Sequence, residues 1–572
     1  MTTTGPEIGA LRGGEAVMTD GTVLRATIHR AGVSGPGPVL LVRNPYGEPM
    51  SRNVPVAPFN TAGFTVVVQD CRGCGTSDGE FVPFENEESD TLDSIEWCAR
   101  QPWSNGHVSM YGASYAGMLQ FAAAINAPVA LDSIIPIVAP SDYHSGVVYR
   151  AGAFQLGQLS GWFTLKSLQT LLHKRDHGEE VGDLFGALGR HIANPARSTA
   201  HLPLNDAPLL SEVLTSWKSW LHAETRDEYW AALSYRDRRG AITVPALHVG
   251  GWFDLFLGGT LDNFVTLSAN PSVGASQRLV VGPWSHTDQS GTVGELSFGA
   301  SASSLAYGLE RVETEFAVAA SRGEPIPGSP VRIFVMGTNV WRDEQEWPLA
   351  RTEYTNWYLQ EGGGLAPFSP PNSGAPTIFI HDPSDPVPTC GGQTLMTGGA
   401  DGGVEWMPGP RDQRANEARN DVASFTSGFL NSDMEVTGPI AVVLHASTSA
   451  NDTDFVAKLV DVWPDGRAMV VVDGIIRARY RDGQHSASTV EPGQTYELTI
   501  DLFGTSQVFR AGHRIRVDIA SSNYPCFDRN AGTGWLAGDA VAEDFVVAHQ
   551  RLFHDAARPS HIQLPIIPVA GP

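Results

Sequence analysis

A chain of 572 residues, 42% hydrophobic and 17% charged, has ample material for buried cores and is too long for one ordinary domain. Its net charge of −24 argues against nucleic acid and anionic membrane surfaces as partners, since both need clustered Lys and Arg. No apolar run is long enough to span a bilayer, and MTTTGPEIGALRGGEAV lacks the basic-then-apolar pattern of a signal peptide. The 5 cysteines are sparse and odd in number, which fits a reducing cytoplasm better than a disulfide framework.

The first third alternates strand and helix signals. VLRATIHR (23–30) comes after an Asp20-Gly21 hairpin turn and precedes VLLVRNPYG (39–47). FTVVVQD (64–70) is a buried-strand run, and ESDTLDSIEWCARQPW (88–103) has helical spacing that Pro102 ends. HVSMYG (107–112) is a strand, YAGMLQFAAAI (115–125) a helix and LDSIIPIVAP (131–140) a strand again. This rhythm predicts an α/β domain with a parallel sheet covered on both faces.

Residues 145–238 break the rhythm. AGAFQLGQLSGWFTLKSLQTLLHKR and LLSEVLTSWKSWLHAETRDEYWAAL are helical in period and carry Trp162, Trp217, Trp220 and Trp230. The α/β pattern resumes with AITVPALHVGGWFD (241–254) and RLVVGPWSH (278–286), so the helical block reads as a cap inserted over the active face. From 351 to 572, short alternating runs separated by Gly- and Pro-rich turns predict an all-β module of sandwich or jelly-roll type. The expected division is an α/β part at 1–144 and 239–350, a cap at 145–238 and the β module at 351–572.

Two serines compete for the role of nucleophile. GTSDG (75–79) fits G-x-S-x-G letter for letter, but its strand ends near Asp70 and Pro83 disfavours a helix after it. Ser77 therefore reads as part of a glycine-rich loop. Ser114 in YGASYAG (111–117) misses the strict pattern, yet its strand runs straight into a convincing helix, which is the context an exposed nucleophile needs. An acid and a base should come at later strand ends, and GWFDLF and GPWSH supply Asp254 and His286 in the order Ser, acid, His. His144, His248, Asp262 and Asp288 compete less well in order or strand context. Tyr46, at the end of VLLVRNPYG, stands where a second oxyanion donor is needed; from position alone it is equally a ring packed in a turn. Cys71-x-x-Cys74 has no second such pair, so it is a weak redox or metal signal.

RNPYG, the QD-x-RG-x-x-x-S-x-GEF stretch around GTSDG, GASYAG, GWFDLF, GPWSH, DTDFVAKLVDVWPDGRA and HRIRVDIASSNYP together closely resemble the cocaine esterase (CocE/NonD) hydrolases. These are serine esterases related to X-Pro dipeptidyl-peptidases and α-amino acid ester hydrolases. The resemblance runs from about residue 12 to the PSHIQLPII segment. It implies an α/β-hydrolase domain with inserted helical cap plus a C-terminal jelly roll. It also implies Ser114, Asp254 and His286 as the triad, with the Tyr46 hydroxyl and Tyr115 N–H as oxyanion donors. Trp162 and Phe256 match acyl-pocket aromatics, and Leu395 and Met396 would close the pocket from the β module. A second cap tryptophan has no counterpart near Val148 and Tyr149. The implied activity is hydrolysis of acyl esters, aromatic ones included, with no metal or organic cofactor. The expected partner is a small-molecule ester, and a homodimer stays open. The rival readings are an amide or peptide hydrolase and, more distantly, a carbohydrate-binding protein.

Overall fold

The computed structural model describes residues 10–32, 35–47, 54–194, 199–395 and 408–568. Near-continuous apolar runs build the central strands of the first sheet, whose strands are β1 (Ala10–Val17), β2 (Val23–His29), β3 (Gly37–Asn44), β4 (Thr65–Asp70), β5 (Ser104–Ala113), β6 (Leu131–Ile137), β7 (Leu247–Phe253), β8 (Arg278–Ser285), β9 (Val331–Val335) and β10 (Val340–Glu344). Their order in space is β1-β2-β4-β3-β5-β6-β7-β8-β9-β10. From β4 to β9 neighbouring strands are parallel, while β1, β2 and β10 join antiparallel at the two edges.

Alternation explains how both faces are covered. Val39, Leu41, Val108 and Met110 point into one core beneath helix α1 (Glu87–Ala99) and helix α2 (Tyr115–Ala124). Leu40, Val42, Val66 and Val68 point into the opposite core with Phe316 of the helix Leu309–Ser321. The C-terminal ends of β3, β5, β7 and β8 meet at one edge, where open α/β sheets hold their ligands.

Over that edge lies helix α3 (Leu156–Asp176), succeeded by shorter helical pieces. The stretch 209–233, helical in period, forms three short helices, Leu210–Val213, Ser216–His222 and Glu228–Leu233. Tertiary contacts cause the break. Glu224 leaves the helical path to take a charged hydrogen bond from Arg479 of the β domain, and Asp227 caps the next helix by accepting from Tyr229 N at 3.0 Å.

The C-terminal part is all β, a 12-stranded sheet wrapped around its own apolar core, which includes Phe379, Leu444, Leu459, Ile500 and Ile519. Its longest pairing joins Met434–Thr448 to Tyr496–Phe509. Among the described residues, no helix is long and apolar enough to cross a membrane.

Candidate active site

β5 ends at Ala113 and α2 begins at Tyr115, so the whole turn falls on Ser114, with φ 57° and ψ −125°. A non-glycine residue at positive φ is strained, and it persists because the surroundings fix it. Ser114 N donates to Ile137 O at 2.9 Å, and Ser114 O accepts from Gly117 N at 2.8 Å. The departure from G-x-S-x-G has a steric explanation. A Cβ on Gly112 would lie 2.6 Å from Ala116 Cβ, and one on Gly117 would lie 2.7 Å from Ala139 Cβ and 2.9 Å from Gly112 O. The glycines are thus needed at 112 and 117, whereas 116 holds a methyl group.

β7 ends at Phe253 and β8 at Ser285, so Asp254 and His286 are each the first residue past a strand. His286 Nδ1 donates to Asp254 Oδ1 at 2.7 Å, and its Nε2 faces Ser114 Oγ at 2.9 Å. A carboxylate only accepts, so Asp254 fixes the proton on Nδ1 and leaves the Nε2 lone pair for the serine hydroxyl. Asp254 is wholly buried, which keeps water from competing for the imidazole. The Phe256 ring stands edge-on to His286 at 5.1 Å.

Tyr46 reaches the same point from the turn after β3. Its hydroxyl oxygen accepts from Trp162 Nε1 at 3.2 Å. Burial pushes this phenol above its ordinary pKa, so it remains a proton donor at neutral pH. The turn is clamped by α3, with Gln169 Nε2 donating to Tyr46 O at 2.9 Å and Lys166 donating to Pro45 O. Tyr115, the first residue of α2, has no intrahelical acceptor for its N–H. Its hydroxyl donates to Glu87 at 2.9 Å, and Glu87 in turn pairs with buried Arg43 of β3 at 2.6 Å. One buried ion pair therefore ties the strand that leads to Tyr46 to the helix that carries Tyr115.

A cavity opens beside Ser114 and is lined by the anticipated Trp162, Phe256 and Leu395. It is also lined by Phe84, Val147, Gln158 and Trp220, which sequence reasoning did not assign to it. The rings of Tyr115, Trp162 and Trp220 lie nearly parallel, with interplanar angles of 14° and 16°. Met396 lies outside the described residues.

The other candidates are occupied elsewhere. Ser77 is buried; its hydroxyl donates to Asp70 O at 2.7 Å and accepts from Arg25 N at 2.8 Å, so it holds the loop together. His144 bonds to Glu224 O, His248 to Gln277 within the core, and Asp262 pairs with Arg239. Cys71 and Cys74 are buried free thiols, and burial pushes Cys74 up to about 11 and Cys71 well above its usual value. Neither is a thiolate at neutral pH.

Residues 20–288 match the family described as X-Pro dipeptidyl-peptidase (S15 family), and residues 327–563 match its C-terminal non-catalytic domain. The chain is 37% identical to the cocaine esterase of Rhodococcus sp. (strain MB1 Bresler), over 96% of this chain and 97% of that protein. An aminopeptidase from the marine sediment archaeon Thaumarchaeota archaeon superposes with a TM-score of 0.85 at 26% identity, covering 99% of this chain and 98% of that one. An α-amino acid ester hydrolase shares the fold with a TM-score of 0.81 at 23% identity, covering 99% and 98% of the two chains. A chain that carries a serine-hydrolase architecture and matches an esterase along nearly its whole length is a serine hydrolase, and it belongs to the cocaine esterase (CocE/NonD) family within the X-Pro dipeptidyl-peptidase superfamily.

Proposed function

We propose that the chain is a carboxylesterase in which Ser114 is the nucleophile, His286 the general base and acid, and Asp254 the residue that holds the imidazole. The observation that carries this reading is the continuous chain from Asp254 Oδ1 through His286 to Ser114 Oγ, at 2.7 Å and 2.9 Å. His286 Nε2 takes the serine proton as Oγ attacks the ester carbonyl, and Asp254 stabilises the imidazolium that forms. The Tyr46 hydroxyl and the Tyr115 N–H receive the negative charge on the carbonyl oxygen, and the N-terminus of α2 adds its dipole. His286 then protonates the departing alcohol. Water repeats the sequence on the acyl-enzyme, releasing the acid and restoring Ser114.

Cocaine is named for the relative, and an aromatic acyl ester suits the ring-lined cavity here. Among the described residues, none that lines the cavity is Asp or Glu, so nothing among them would hold the α-amino group an aminopeptidase must bind. The 5 cysteines, all free, suit a reducing cytoplasm. The test is a rate comparison on a p-nitrophenyl ester and a Pro-containing dipeptide amide, with Ser114→Ala alongside. Ester turnover that disappears in the variant is expected. Turnover that persists, or a faster amide reaction, contradicts the reading.

A further inference from the structure

Among the described residues, Gln158 is the one amide side chain lining the cavity, and it is only 7% exposed among mostly apolar and aromatic neighbours. Its Nε2 donates to Val147 O, which also accepts from Gln155 Nε2 at 2.9 Å. A carbonyl only accepts, so this contact fixes which end of the Gln158 amide is nitrogen. The other end, Oε1, is buried and has no hydrogen-bond donor among the described residues. A buried acceptor without a donor is costly in a folded protein, and such a group in a binding cavity marks a place where a ligand supplies the missing partner.

Resting on the esterase reading above, we infer that Gln158 Oε1 reads the substrate, and that the ester carries a neutral hydrogen-bond donor, a hydroxyl or amide N–H, on its aromatic part. The parallel faces of Tyr115, Trp162 and Trp220 are the reason for the aromatic part. The reason for neutrality is the lining, which among the described residues offers an amide acceptor but no carboxylate to compensate an ammonium group.

The test measures kcat/KM of the full-length chain on p-nitrophenyl esters of phenylacetic acid, its meta- and para-hydroxy derivatives and their methyl ethers. A second series places the same substituents on benzyl acetates, so the half of the ester that is read is identified. The expected result is a preference of about tenfold or more for a hydroxyl over both hydrogen and methoxy in one series. Gln158→Leu and Gln158→Met should bring that ratio close to one while unsubstituted esters are still hydrolysed. Equal rates in both series with the unaltered chain overturn the inference, as does a ratio that survives in both variants. Activity remaining in Ser114→Ala would instead overturn the nucleophile assignment and leave the ratio to be read separately.

Discussion

The indole N–H of Trp162 donates to the hydroxyl oxygen of Tyr46 at 3.2 Å, so the same residue that walls the cavity also orients the proposed oxyanion donor. With its oxygen accepting from Trp162, the Tyr46 hydroxyl still has its own proton to donate. Tyr46→Phe should lower kcat by about 10²–10³-fold with little change in KM, the usual cost of one oxyanion donor. Trp162→Phe keeps a ring but removes the orienting N–H and should lower kcat by a smaller factor. Steady-state kinetics on one activated ester checks both, and a Tyr46→Phe enzyme with normal turnover removes Tyr46 from the mechanism.

The shifted glycine pattern makes a paired prediction. Ala116→Gly restores G-x-S-x-G and should leave ester turnover nearly unchanged, at a helix cost of about 1 kcal/mol. Gly117→Ala forces a methyl group within 2.7 Å of Ala139 Cβ and 2.9 Å of a backbone carbonyl, and should destroy most activity by displacing the turn. Circular dichroism with an esterase assay separates loss of turnover from loss of fold.

Ser77 should behave as a structural residue. Ser77→Ala deletes a buried hydroxyl that both donates and accepts, so it should cost about 1–2 kcal/mol of stability with kcat intact. A denaturant midpoint that falls while turnover per folded molecule stays constant is the expected outcome.

Much of this arrangement is legible in the chain because it depends on where strands stop. Runs such as ITVPALHV and RLVV announce buried parallel strands, and the residue just past the end of such a strand lies at the ligand edge of the sheet. That logic nominates Asp254 and His286 and prefers Ser114 over the literal match at Ser77. The cavity wall is less legible. Trp220 and Gln158 sit on helical segments whose period shows an apolar face without showing what that face covers. Phe84 lies in a turn and Val147 in the one-turn helix His144–Val148, both too short to show a periodicity. The broken helix at 209–233 is hidden for another reason: the partner of Glu224 is Arg479, more than two hundred residues away in sequence.

A buried carboxyl outside the site gives a pH prediction. Glu313 faces Tyr111, whose hydroxyl donates to it at 3.4 Å, and burial pushes its pKa up to about 8. In the unfolded chain it ionises near its ordinary value of 4.5, so between there and about 8 the native state holds a proton that the unfolded state has lost. Stability contributed by this group is therefore present at low pH and is lost as pH rises toward 8, by at most about 1.4 kcal/mol per pH unit. Glu313→Gln should flatten that decline. Thermal unfolding of the two chains at pH 5 to 8.5 measures it, and parallel pH profiles would contradict the assignment.

The assignment of Ser114 as nucleophile is tested most directly by labelling with a fluorophosphonate and then locating the label by peptide mass spectrometry. The result expected is one phosphonyl group per active chain, on the peptide containing Ser114, with no labelling of Ser114→Ala and unchanged labelling of Ser77→Ala. Label on the Ser77 peptide, or a Ser114→Ala chain that still reacts, would contradict it.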